Sequence, residues 1–376
     1  MNIAHLIPSL GLGGAEKYVL SIFQRCNKEQ FHHKIIYWND RQDLLEDIAP
    51  DKDNIIKLNI DRIVSIETIC RLAKVLKKSN IDILHTHLMD ADLMGFFASQ
   101  VLRIPQLITI HSYPFPTERR HCLRYKVMSL FKTDLLFVSN KVKDFVLSKT
   151  GISPHKTRVV HTGIDLQRFC IKQSQQSKED LRNSLSIDSR SKIVGNVSRL
   201  IDGKGHRHLL MAAVEILRNF PNTIFLIVGG GELRDELIEL SNSLRISEHV
   251  RFIGSRMDIP ELLDIMDIFM FPAYDEAFGI SVLEAMAMGK PIIATNDAAV
   301  PELIAYREEG ILIEPKDPKL ISASVQDLLA NPERCVRMGI AARNRSRLFS
   351  IERMVAGIEE IYRKILSKNN ALQARA

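Results

Sequence analysis

Two acids eight residues apart, Glu276 and Glu284, bracket the apolar segment AFGISVL. A carboxylate accepts paired hydrogen bonds from neighbouring hydroxyls, so one acid can hold a hexose and the other a ribose. Phe278 and Gly279 lead into a helical pattern, and Gly279 and Ile280 at its start can offer N–H groups to a phosphate. Upstream, Arg199 and Lys204 lie in the loop SRLIDGKG. A guanidinium grips a diphosphate with a two-pronged fork, and an ammonium adds a point charge. Such a pair can stabilise a departing diphosphate without a metal. Taken singly, each cation is better read as a solvated loop charge. Glu284 is harder to dismiss: it sits on the apolar helix VLEAMAM, two turns in, where a buried acid needs a partner and no basic residue is near.

The first half offers weaker signals. Gly11-x-Gly13-Gly14 follows an apolar strand and precedes a helix, a place where backbone N–H groups can cradle a phosphate. It is not the dinucleotide pattern G-x-G-x-x-G, because position 16 is Glu. His111 ends the strand LITIHSY and can donate a hydrogen bond or exchange a proton. A satisfied core histidine is the alternative. His85-x-His87 puts two imidazoles on one face of a strand, but zinc wants further ligands and sequence assigns none. A structural or acceptor-side role is the better reading. Asp90-Ala91-Asp92 looks like a metal-binding D-x-D, yet it stands just before a helix, where acids serve as caps.

Strands and helices alternate to position these residues. Expected strands are 2–7, 33–38, 83–87, 106–111, 135–139 and 158–161, with helices at 15–26, 66–78 and 92–102 between them. The polar tract 170–188 interrupts the pattern, opening as a linker and continuing as a short helix. Strands at 192–197, 223–228, 250–253, 268–272, 291–294 and 311–313 then alternate with helices at 208–219, 232–244, 259–264 and 281–288. Two helices, 318–330 and 350–366, close the chain. This is α/β architecture, two parallel sheets in tandem. In such sheets ligands bind beyond the carboxyl ends of the strands, where the glycines fall, and two sheets presenting those ends to each other would enclose a cleft.

Composition narrows the class. The 376 residues suffice for two cores, and 45% hydrophobic with 26% charged residues suits a soluble globular chain. No apolar run reaches the roughly 18 residues of a membrane span, and the N-terminus lacks the basic start of a signal peptide. Five scattered cysteines without a C-x-x-C pair favour a reducing cytoplasm over a thiolate zinc site. The formal charge of +6 is uneven: residues 1–170 carry +7 and the rest −1. Much of the excess lies in TERRHCLRYKVMSLFKT, with Arg119, Arg120, Arg124, Lys126 and Lys132. Leu123, Val127 and Leu130 recur there at helical spacing. Either this basic amphipathic helix rests on an anionic membrane surface, or its apolar stripe packs on its own domain. No aromatic-interleaved basic motif points to nucleic acid.

Together these residues resemble the retaining nucleotide-sugar glycosyltransferases of family 4, which have the GT-B fold. The likeness runs through GGAE at 13–16, THL at 86–88, TIH at 109–111, HTGID at 161–165, SRLIDGKG at 198–205, VGGGEL at 228–233, the Glu276–Glu284 segment and VPEL at 300–303. It implies two Rossmann-like domains facing across a cleft: an acceptor-side domain over 1–170, a linker over 171–190, and a nucleotide-sugar domain over 191–349. A C-terminal helix, 350–376, would pack back on the first domain. It implies that Arg199 and Lys204 hold the diphosphate, with Gly13 and Gly14 close by, and that Glu284 holds the ribose. Glu276, Phe278 and Gly279 would contact the sugar, and His111 would lie near the reacting centre. The family usually needs no metal or cofactor. Retention is thought to follow front-face attack, with the leaving phosphate helping to take the acceptor proton, so no nucleophile is named.

The chain departs from the family at Ala277, where glycine is usual, and at Ala298-Ala299, usually paired glycines. An added methyl reshapes the pocket around the sugar. The expectation is a cytoplasmic transferase, peripheral on the inner membrane face, that moves a hexose or N-acetylhexosamine from a UDP-sugar to a lipid-linked glycan during surface-polysaccharide assembly. Rivals are a GDP-sugar transferase, a UDP-sugar epimerase, an NAD-dependent oxidoreductase and a catalytically silent binding module. An epimerase needs acid–base groups and no acceptor. The oxidoreductase lacks its glycine fingerprint.

Overall fold

A computed structural model describes every residue except 12, 42, 45–51, 61, 114–117, 171–172, 298, 305–306 and 374–376. Leu12 of the glycine loop, Ala298 and the start of the expected linker therefore lie outside the described residues, as does the side chain of Arg119. The chain divides into two compact units, residues 1–163 with 351–376, and residues 164–350.

The first unit contains β1 (Asn2–Leu6), α1 (Gly14–Arg25), β2 (His32–Tyr37), β3 (Ile55–Lys57), α2 (Ile66–Lys78), β4 (Ile83–His87), α3 (Met89–Leu102), β5 (Gln106–Ile110), α4 (Glu118–Ser129), β6 (Thr133–Phe137), α5 (Asn140–Thr150) and β7 (Thr157–Val159). Its strands form one parallel sheet in the order β3-β2-β1-β4-β5-β6-β7. The central strands β1, β4, β5 and β6 are buried almost throughout, as parallel strands covered by helices must be.

The second unit contains α6 (Gln175–Ser184), β8 (Lys192–Val197), α7 (His206–Asn219), β9 (Thr223–Val228), α8 (Arg234–Ser243), β10 (Val250–Phe252), α9 (Ile259–Ile265), β11 (Ile268–Phe271), α10 (Ile280–Ala287), β12 (Ile292–Thr295), α11 (Val300–Leu303), β13 (Gly310–Ile313), α12 (Pro318–Ala330) and α13 (Pro332–Ser346). The sheet order is β10-β9-β8-β11-β12-β13, again parallel. Its core gathers Leu209, Ala213 and Ile216 of α7 and Ile321, Val325 and Leu328 of α12 against Val194, Phe225 and Met270.

The last helix, α14 (Ile351–Gln373), belongs to the first unit. Its apolar stripe of Met354, Ile358, Ile361, Tyr362 and Ile365 packs with Tyr18 and Ile22 of α1 over Ile3, Ile83, Leu107 and Leu136 of the sheet. Three helices thus close the chain, α13 being the one the sequence reading left out.

Two expectations for the first unit change. Helix α3 begins at Met89, so Asp90 and Asp92 lie inside it rather than before it. Asp92 is no surface cap: it is fully buried, accepts a hydrogen bond from Thr86 Oγ1 at 2.7 Å and lies 3.3 Å from the Tyr125 hydroxyl. Burial pushes its pKa up to about 8. In α4 the residues that pack inward are Cys122, Tyr125 and Met128. The stripe of Leu123, Val127 and Leu130 is 61%, 45% and 77% exposed, so it does not pack on its own unit. Arg120, Arg124 and Lys126 are exposed beside it.

Candidate active site

Strand order changes direction between β8 and β11, and the loops after these two neighbours carry the charged candidates. The first, residues 198–205, joins β8 to α7. Gly205, the N-cap of α7, holds φ +73°, and a Cβ there would come within 2.1 Å of the Pro272 carbonyl oxygen. Only glycine lets this loop close against the end of β11. At Gly231 a Cβ would fall 2.3 Å from the Leu200 carbonyl. That close approach lets Leu200 N–H bond Gly230 O at 2.9 Å and fixes the stretch around Arg199.

A polar brace lies beneath the loop. Asn196 Oδ1 accepts from Ser198 Oγ at 2.8 Å, and His206 Nε2 lies 3.0 Å from Ser198 Oγ and 3.1 Å from Asn196 Oδ1. Burial first, then the Lys204 charge, draws the His206 pKa down to about 4. His206 Nδ1 is buried without a hydrogen-bond partner. Sequence reasoning missed this brace. The only available hint was a histidine directly after K-G at a helix start.

Lys204 and Glu276 meet. Lys204 Nζ donates to Glu276 Oε2 at 3.0 Å and to the Asp275 carbonyl at 2.8 Å. Lys204 is 9% exposed, so most of its charge acts inside the protein on the acid loop. Arg199 differs: it is exposed, and no hydrogen bond or ion pair engages its guanidinium among the described residues. Tyr274, absent from the sequence reading, ties the loops together. Its hydroxyl donates to Asp202 Oδ1 at 2.9 Å and accepts from Gly203 N–H at 3.3 Å. The Lys316 ammonium stands over its ring at 4.1 Å.

Phe278 is buried edge-on to Phe349, and Ala277 is also buried. Gly279 caps α10, whose first-turn N–H groups at Ile280 and Ser281 have no acceptor within the helix. Glu284 lies one turn into α10, not two, and is half-buried rather than enclosed. Its need for an internal partner is smaller than the apolar sequence suggested.

In the first unit, Gly13 caps α1, and Gly14 is its first residue. A Cβ at Gly13 would lie 2.2 Å from Glu16 Oε2, so an acid already occupies the space over this helix start. Glu16 Oε1 accepts from Ser9 Oγ at 3.1 Å.

His111 follows β5 and is half-buried. Its Nε2 lies 3.0 Å from His87 Nδ1. His87 Nε2 is 3.2 Å from His5 Nδ1, and His5 Nε2 is 2.9 Å from His33 Nδ1. His85 stands apart, with Nδ1 2.6 Å from the Tyr362 hydroxyl and Nε2 2.6 Å from Thr109 Oγ1. Burial lowers the pKa of every one of these rings, to about 4 at His33 and about 3 at His111. His5, His85 and His87 bring ligand nitrogens within 4.8 Å of one another, so the third imidazole missing from the H-x-H reading is His5. It pairs with His85 across β1 and β4, a register no sequence spacing reveals.

Two Rossmann-like parallel-sheet halves, each with its candidate residues beyond the strand carboxyl ends, define the GT-B class of α/β enzymes. Residues 12–168 match the family described as Glycosyltransferase Family 4, and residues 177–345 match Glycosyl transferases group 1. The chain belongs to the glycosyltransferases that combine these two domains. A UDP-Gal:alpha-D-GlcNAc-diphosphoundecaprenol alpha-1,3-galactosyltransferase of Escherichia coli is 28% identical over 333 residues, covering 84% of this chain and 85% of that protein. Among solved structures, a glycosyltransferase from Rickettsia africae ESF-5 superposes with a TM-score of 0.85 at 24% identity, covering 97% and 98% of the two chains. Anabaena Alr3699/HepE in complex with UDP and glucose gives 0.84 at 21% identity, covering 96% and 99%.

Proposed function

We propose that this glycosyltransferase moves a hexose or N-acetylhexosamine from a UDP-sugar, with retention and without a metal, to a hydroxyl of a lipid-linked glycan in surface-polysaccharide assembly (lipopolysaccharide, O-antigen or capsule). The observation that carries the reading is the arrangement around β8 and β11: an exposed, unengaged Arg199 on the loop braced by the Lys204–Glu276 pair. The guanidinium takes the diphosphate, and the first-turn N–H groups of α10 are open to a second anionic oxygen. Glu284 takes the ribose, and Glu276, Phe278 and Gly279 bound the sugar. His111 is the first unit's candidate for the reacting centre. The leaving phosphate receives the acceptor proton, so no side chain is assigned as a nucleophile. The Escherichia coli relative's UDP-Gal donor and diphosphoundecaprenol acceptor support the choice of UDP and of a lipid-linked acceptor.

No helix among the described residues is long and apolar enough to cross a membrane. The exposed stripe of α4, with Phe131 46% exposed beside it, supports peripheral attachment to an anionic membrane face. Calorimetric titration with UDP and GDP tests the donor site. UDP binds wild type, and Glu284→Ala weakens it by about 1–3 kcal/mol, the scale of a lost hydrogen bond to a charged group. Binding of GDP alone would move the donor to the guanosine class. Binding of neither would remove the transferase reading of these loops.

A further inference from the structure

Four imidazoles cross the first sheet in one continuous file, His33 on β2, His5 on β1, His87 on β4 and His111 after β5, joined by N···N contacts of 2.9, 3.2 and 3.0 Å. We propose that His33, His5 and His87 form a one-way hydrogen-bond chain that locks His111 in its Nδ1–H tautomer, making it a fixed donor rather than a base. The consequence for transfer rests on the reading of His111 as a group that meets the sugar.

The direction follows from counting protons. A neutral imidazole has one N–H and one bare nitrogen, so a file of neutral rings has only two consistent orders. All four rings are held neutral at pH 7 by burial. The far end decides between the orders. His33 Nε2 is buried without a partner. Its neighbours are Phe31, which offers no acceptor, and Tyr362, whose hydroxyl is engaged by His85. One order leaves an N–H stranded there, and the other leaves a lone pair. Stranded donors are the rarer outcome in protein interiors. His33 Nδ1 therefore donates to His5, His5 Nδ1 donates to His87, and His87 Nδ1 donates to His111 Nε2. His111 keeps its proton on Nδ1, which has no partner among the described residues and belongs to a half-buried ring.

A metal would require a different network. His5, His85 and His87 offer the right ligand type for zinc. Yet all six of their ring nitrogens already have partners at 2.6–3.2 Å, and a cation would have to break several of these bonds. The hydrogen-bonded file satisfies the same atoms without one.

A donor-only His111 can hold a sugar oxygen but cannot take the acceptor's proton on Nδ1. That leaves the proton to the departing phosphate. His87, His5 and His33 are then positioning residues, acting through His111.

The first test uses the full chain labelled with ¹⁵N-histidine. Two-bond ¹H–¹⁵N correlation reads each tautomer, with His111 assigned by its loss in His111→Gln. The expected result is Nδ1–H at His111, the less common form of a free side chain in water. Nε2–H there overturns the inference, and so does one equivalent of tightly bound zinc in the purified protein. The second test measures UDP release from UDP-glucose, UDP-galactose and UDP-N-acetylglucosamine. His87→Leu keeps the volume and removes the donor, lowering kcat roughly ten-fold, within the ~100-fold that an ångström of misplacement can cost, while UDP affinity is unchanged. His87→Asn puts an amide N–H where Nδ1 stood and recovers most of the loss. Equal activity of Leu and Asn variants would make His87 mere packing and overturn its positioning role. Failure of wild type to bind UDP or turn over any donor would instead sink the transferase reading, leaving the tautomer result intact.

Discussion

Both units place polar side chains beyond or along central strands, yet they treat them in opposite ways. In the first, His5, His85 and His87 are fully buried and bonded to one another or to Tyr362, Thr109, His33 and His111. Their cost of burial is met by neutrality and mutual hydrogen bonds. In the second, of the two site cations, Arg199 is exposed and unengaged among the described residues, while Lys204 is compensated by Glu276. A closed network fixes geometry; an open one leaves charge for a ligand. On the function proposed above, the first unit orients and the second binds the anion.

Acid is the strongest way to break the closed network. The five histidines have folded pKa values below the unfolded 6.5, so below that pH the unfolded chain binds more protons. Their contribution is complete above pH 6.5 and is lost as pH falls toward about 4 at His33 and about 3 at His111. Asp92 has the opposite sign. Its pKa rises from 3.8 to about 8, so the folded form holds the extra proton and gains stability as pH falls through that window. On these six groups the net is an uptake of about 3.5 protons on unfolding near pH 5.5, or about 5 kcal/mol of stability lost per pH unit. Denaturant unfolding of the full chain at pH 7 and 5.5 measures this. A flat response would mean that the rings are hydrated and the network is not closed.

Arg199→Ala probes the open network. Donor turnover falls by roughly 10²–10³, about 3–4 kcal/mol at the transition state, the scale of a lost fixed donor at developing charge. Retained turnover would show that the exposed guanidinium does not meet the diphosphate. The smallest effect belongs to the surface of α4. Leu130→Glu removes a side chain whose burial is worth about 1.5–3 kcal/mol, so binding to phosphatidylglycerol vesicles weakens while turnover of soluble donor is unchanged. Equal vesicle binding by both forms would remove the membrane reading of the stripe.

The fold was legible wherever the apolar period was strong. The 66–78 and 318–330 helices and the 83–87 strand lie where the sequence put them. The strand β3 was missed because IIK is a three-residue edge, too short for a strand period to show. The helix α13 was missed because its exposed face carries Val336 and Ile340 among arginines, blurring the stripe. At the site, the residue types in SRLIDGKG and around Glu276 pointed to charge chemistry. Which charges remain free was not legible, because Lys204 and Glu276 are 72 residues apart and meet only across neighbouring strand ends. His5 and His87 are 82 apart and meet for the same reason.

Helix α14 has a consequence for biosynthesis. It lays Tyr362 on His85 and Ile358 among the core residues of the first sheet, yet the ribosome makes it after the whole second unit. Until then the nascent first unit carries an uncovered apolar face and a histidine file open to water. Domains emerging from a ribosome ordinarily fold in order, amino-terminal first. Here the order of completion is inverted: the second unit can finish folding while the first still awaits its lid, exposed to chaperones and to aggregation.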